Sequence, residues 1–122
     1  MNNAYNIKLL QVAGYDIESA VLSMGSIDVY NEILNDFYAE NIERVKKIIA
    51  YKKDMNLYSY AIEVHALKSE CMYLGINELA KKCEEQQFKS EAKDVNYINT
   101  HFDEFMTEVV KVMAVIKKYL GK

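Results

Sequence analysis

Apolar residues recur along this chain at steps of three and four, the spacing of one face of an α-helix. Residues 4–12 (AYNIKLLQV) predict a short helix that Gly14 ends. Asp16 is placed to cap a second short helix running to Met24, with Gly25 as its stop. Asp28 is the next N-cap candidate and opens a long helix to about Lys52. Tyr30, Leu34, Phe37, Tyr38, Ile42, Val45 and Ile49 line its broad inward face, and lysines crowd its C-terminal half as the helix dipole favours. Residues 54–56 form a turn. A further helix then runs from Leu57 to Leu74, with Gly75 as a left-handed stop. Asn77 can cap a segment over 77–90 that turns Leu79, Ala80, Cys83 and Phe88 inward. Asp94 can cap a last long helix over 95–119, with Tyr97 or Ile98, Phe102, Phe105, Val109, Val112 or Met113, and Ile116 inward. The connections are short, so neighbouring helices should run antiparallel. The pattern predicts an all-α fold: an antiparallel up-down four-helix bundle over about 28–120. The short helices within residues 1–26 should pack across one end.

Composition narrows this picture without changing it. A chain of 122 residues is the size of one domain, here 1–122, with a single core. It has no proline and is 51% hydrophobic, which suits long uninterrupted helices. Its net charge of −3 is spread over interleaved acids and bases, with no basic stripe, so nucleic acid is not an expected partner. No apolar run approaches the ~20 residues of a membrane span, and no basic segment followed by an apolar one marks a secretory signal. Cys71 and Cys83 lack CxxC spacing and fall on different predicted helices, which fits reduced thiols in a cytoplasmic protein.

Candidate chemistry gathers in one stretch, AIEVHALKSECMYLG over 61–75. On a helix at about 100° per residue, Tyr60, Val64, Leu67, Cys71 and Leu74 form a core-facing stripe. His65 lies roughly 130° from the middle of that stripe and should look outward or sit at its edge. Lys68 and Ser69 follow one turn on, close enough to share the surroundings of the imidazole. Tyr58, Ala61, Ile62, Ala66, Met72 and Tyr73 fall on the same side. Apolar residues around a polar centre have the pattern of a docking patch, with Ala61, Ile62 and Met72 as its candidates; the alternative is that some of them pack on neighbouring helices, since a bundle helix can bury well over half its circumference.

This stretch resembles the histidine-containing phosphotransfer (HPt) family. The family pattern is a phospho-accepting His, a Leu two residues on, a Lys three on, a small residue four on and a Gly ten on. Here these are His65, Leu67, Lys68, Ser69 and Gly75. HALKS is a family variant with Ser where many members carry Gly. The flanks 14–38 (GYDIESAVLSMGSIDVYNEILNDFY) and 74–98 (LGINELAKKCEEQQFKSEAKDVNYI) are similar to the family's segments on either side of its site. The resemblance implies a phosphocarrier in a multistep His–Asp relay, with His65 accepting through Nε2. Lys68 would supply a point charge for the phosphoryl group, and Ser69 would leave room for a partner's active-site rim. It also implies a monomer whose partners are a response-regulator receiver domain or a hybrid sensor histidine kinase. No cofactor is expected on this chain, since Mg²⁺ and the acceptor Asp would come with the receiver. A free imidazole titrates at about 6.5, and its neutral form is the nucleophile. Phosphoryl transfer depends mostly on positioning and charge, which a rigid helix can supply. No GxxxxGK[ST] or other nucleotide-binding element is present, so self-phosphorylation from ATP is not expected of this chain. The alternative is a degenerate HPt-like bundle that binds a receiver or kinase without carrying phosphate. A histidine kinase's own acceptor bundle would need an ATP-binding domain.

His101 lacks the HALKS surroundings and is expected at the surface or in packing. His65 and Cys71 point to different faces and no ligand spacing recurs, so no metal site is expected. Glu70 departs from the family, which usually has Ser or Ala there. Glu63 and Glu70 share a flank of the helix seven residues apart. They should either reach solvent at the core edge or pair with lysines such as Lys81 or Lys82.

Overall fold

The computed structural model describes residues 5–122 and is all-helical, with no strand among the described residues. Among the described residues six helices pack together: α1 (Lys8–Val12), α2 (Ile17–Met24), α3 (Ile27–Lys53), α4 (Leu57–Leu74), α5 (Asn77–Glu91) and α6 (Val95–Leu120). Ala4, where the first helix was expected to begin, lies outside the described residues. None of these helices is long and apolar enough to cross a membrane.

The helix ends are set by short polar side chains and by glycine. Asp16, Asn56 and Asp94 each accept a hydrogen bond from the backbone N–H three residues on, satisfying a donor that the first turn leaves open. At α3 the cap is Ser26, whose hydroxyl accepts from Val29 N, and not Asp28. Asp28 falls in the first turn, where its charge suits the dipole. Asn77 is likewise a first-turn residue and not a cap. Gly75 adopts a left-handed conformation, and Ile76 N–H bonds back to the Cys71 carbonyl at 2.8 Å. That closure leads straight into α5, so Ile76 occupies the cap position and buries its side chain against the core.

One core runs through the molecule. Tyr30, Leu34, Phe37 and Ile48 of α3 meet Tyr60, Val64, Leu67, Cys71 and Leu74 of α4, with Leu79 and Cys83 of α5 and Ile98, Phe105, Val109, Val112 and Ile116 of α6. The stripe read for α4 is therefore the buried one. Two expectations about the core are corrected. Ile42 and Ile49 are exposed at 43% and 46%, because the inward face of α3 passes instead through Asn41, Arg44 and Ile48. Phe88 is also exposed, and α5 turns Gln86 and Ser90 inward. Gln86 Oε1 accepts the buried Tyr60 hydroxyl at 2.7 Å, which satisfies both groups.

The polar middle of α3 explains Glu63 and Glu70. Both reach Arg44, with Arg44 Nη1 2.7 Å from Glu70 Oε1 and Arg44 Nε 3.4 Å from Glu63 Oε1. Asn41 Nδ2 donates to the same Glu70 oxygen at 3.0 Å and to the Phe37 carbonyl at 2.8 Å. The acids therefore pair across α3 and α4, while Lys82 pairs with Glu104. Burial, then a hydrogen bond with the Glu40 carboxyl, pushes the Glu70 carboxyl above the ordinary carboxylate range, against the pull of Asn41 and Arg44.

Helix α3 contacts α4 and α6, and α5 contacts α4 and α6. Helix α2 contacts α3 and α4, and α1 contacts α6. The N-terminal segment is joined to the end of α4 by Asp16 N–H, which donates to the Gly75 carbonyl at 2.9 Å. Leu10 and Ile17 carry its apolar side into the core.

Candidate functional site

The α4 stripe fixes the direction of everything else on that helix. With Val64 and Leu67 buried, His65 and Ser69 face out, both exposed. The His65 ring is held from the neighbouring helix: its Nδ1 lies 3.1 Å from Gln87 Oε1 on α5. A glutamine oxygen only accepts, so with the amide turned this way the contact pairs it with a proton on Nδ1, and in the neutral ring Nε2 then carries the lone pair. Gln87 is fixed in turn, since its Nε2 donates to Glu91 Oε2 at 3.2 Å.

Lys68 also leans toward α5. Its side chain is only 15% exposed, with Nζ 3.9 Å from Glu84 Oε2 and 5.9 Å above the centre of the Phe88 ring. The cation is thus engaged by an acid and an aromatic face. The exposure of Phe88, unexpected from the sequence, places its ring under this lysine.

Ile62 and Met72 are 51% and 61% exposed, and Tyr58 and Tyr73 are exposed with them. Ala61 is 8% exposed, so it is not the outward docking residue that the sequence suggested. It is one of the residues lining a groove of about 530 Å³. Leu57, Tyr58, Ala61 and Ile62 of α4 line one side of that groove, Gln87, Ser90 and Glu91 of α5 line the other, and His65 borders it. The structure thus groups His65, Gln87 and Ile62 at one opening. Met72 stands on the exposed face nearer the C-terminal end of α4.

The second histidine has a different setting. His101 stacks on Tyr97, ring centres 4.2 Å apart, and the Tyr97 hydroxyl donates to Glu85 at 2.8 Å. Burial, then that hydrogen bond, pushes the Tyr97 phenol up to about 12. His101 is a packing residue here. Among the described residues, no three His, Cys, Asp or Glu side chains converge as metal ligands.

Sequence reasoning missed Gln87 and Glu91. Gln87 sits 22 residues from His65, and one glutamine in a polar run carries no local signature of such a contact. The available signal was its place four residues after the core residue Cys83, at the edge of α5 that meets α4. Compared with protein-family models, with curated proteins and with solved structures, the chain matches none.

Proposed function

We propose that this chain is an HPt-type histidine phosphocarrier, taking a phosphoryl group on His65 from a receiver-domain aspartate and passing it on. One observation carries the reading: an exposed imidazole on a packed helix, with Nδ1 held by Gln87 Oε1 so that Nε2 is the free nucleophile. The HALKS pattern supports it, and so do α3, α4, α5 and α6, each of which touches two of the others, as an up-down four-helix bundle requires. In that arrangement α1 and α2 are the addition packed at one end.

The chemistry follows from the tautomer. The Nε2 lone pair attacks phosphorus in the partner's aspartyl phosphate. The N–P bond forms as the P–O bond to the carboxyl breaks, and the aspartate leaves with that electron pair. Positive charge develops on the ring, and Gln87 Oε1 stabilises it by accepting from Nδ1–H. Lys68 stands one turn away, and its ammonium can exchange Glu84 for the arriving phosphoryl oxygens. Ser69 keeps the approach to the imidazole low. Ile62 and Met72 give a partner apolar contact on either side. The return transfer retraces these steps, so the chain acts as a carrier and not as an enzyme. Its partners are a receiver domain or a hybrid sensor kinase in the cytoplasm.

The test is incubation with a phosphorylated receiver domain. Acid-labile, base-stable label should appear on His65 and be lost in His65→Gln, with the fold intact. Label on His101, undiminished labelling of the variant, or no labelling of the wild type overturns the proposal.

A further inference from the structure

We propose that Glu91 is a positioning residue that selects the tautomer of His65 by fixing which end of the Gln87 amide faces the ring. A glutamine amide is nearly symmetric in shape, with a carbonyl oxygen on one arm and NH₂ on the other. With Oε1 toward His65, the amide accepts from Nδ1–H and Nε2 keeps its lone pair. Turned over, its NH₂ would donate to Nδ1, the proton would move to Nε2, and the nucleophile would be blocked. Gln87 alone does not decide between these states. Glu91 decides, because a carboxylate only accepts. Gln87 Nε2 donates to Glu91 Oε2 at 3.2 Å while Oε1 meets His65 Nδ1 at 3.1 Å. Flipping the amide would set two acceptors against each other and lose a charge-assisted hydrogen bond.

The placement of Glu91 agrees with this role. It lies four residues after Gln87, on the same face of α5. It is also the last residue of that helix, where the dipole disfavours an acid. Helix stability therefore gives no reason for a carboxylate at this point, whereas orienting the amide does.

The tautomer itself is independent of the phosphocarrier reading; only its consequence for transfer rests on that reading. Long-range proton–nitrogen correlation spectra of the ¹⁵N-labelled full chain, with the imidazole neutral, report which ring nitrogen of His65 carries the proton. Wild type should show Nδ1–H. Glu91→Gln, whose amide can pair with either end of Gln87, should raise the Nε2–H population about two- to tenfold, the scale of one net hydrogen bond. In a Gln87→Glu background the residue facing the ring has no NH₂ to turn inward, so Glu91→Gln should then leave the tautomer unchanged. Three outcomes would each overturn the inference: Nε2–H dominance in the wild type, an unaltered spectrum in Glu91→Gln, or an equal effect of Glu91→Gln in the Gln87→Glu background, which would mark a general helix-end effect. If the wild type shows Nδ1–H but takes no label from a phosphorylated receiver, the carrier reading fails and the positioning role stands.

Discussion

Gly25 ends α2 and Gly75 ends α4 in the same left-handed region, at φ 98° and φ 77°, yet they should respond differently to alanine. An Ala in that region costs about 1–2 kcal/mol at either position. Around Gly25 nothing lies where a methyl would go, so that strain is the whole effect. At Gly75 a methyl would collide with the Asp16 carbonyl. Making room means moving the Asp16 peptide, whose N–H donates to the Gly75 carbonyl and whose carboxylate caps α2. Losing that hydrogen bond adds about 1 kcal/mol, and disturbing the cap adds roughly another 1 kcal/mol. Gly75→Ala should therefore cost about 3–4 kcal/mol against about 1–2 for Gly25→Ala. At about 3–6 °C per kcal/mol for a chain of this size, their melting points should differ by roughly 6–12 °C. Urea titrations and thermal melts followed by far-ultraviolet circular dichroism measure both. Equal destabilisation of the two variants would refute the claim that α2 docks through the Asp16–Gly75 contact.

On the exposed face, Ile62→Asp or Met72→Asp should weaken receiver binding about tenfold and leave the melt unchanged, while Leu67→Asp should destabilise the fold by several kcal/mol. The reverse pattern would show that the helical phase of α4 is wrong. Lys68→Ala should slow transfer and shorten the phosphohistidine lifetime by less than about fivefold, with the difference shrinking as salt rises. Transfer at the wild-type rate across salt concentrations would remove its electrostatic role. Because the Glu70 carboxyl is held above its ordinary range, the native state binds that proton more tightly than the unfolded chain does. Stability relative to Glu70→Gln should therefore rise as pH falls from neutral through the raised native value, and level off below the ordinary carboxylate pKa. A difference that stays flat with pH in denaturant titrations would contradict this.

The α4 stripe was legible because five apolar side chains repeat with nothing polar among them, and the outward phase of His65 followed from it. The middle of α3 was not. A hydrophobic pattern assigns Asn41 and Arg44 to solvent, whereas they turn inward to meet Glu63 and Glu70. Apolarity then shifted the predicted face onto Ile42 and Ile49. The cap of α3 was ambiguous in sequence, since Ser26 and Asp28 are both good capping residues, and the left-handed Gly25 favours the one that follows it directly. Ala61 shows a different limit. Its angle places it on the side of His65, but how far it is covered depends on packing between helices and not on the periodicity of one. Gln87 and Glu91 belong to that same packing, which places one half of the site where no motif reaches.

Cys71 and Cys83 lie fully covered on the two helices that build the site, and burial pushes both thiols well above their ordinary range. Alkylating reagents attack the thiolate, so neither sulfur reacts while α4 and α5 remain closed together. Reaction must wait for the seam to part, and its rate then counts the openings. The pair that aims the imidazole, His65 on α4 and Gln87 on α5, is separated by the same event. The thiols thus provide a native chemical clock for how long the His65–Gln87 contact stays closed.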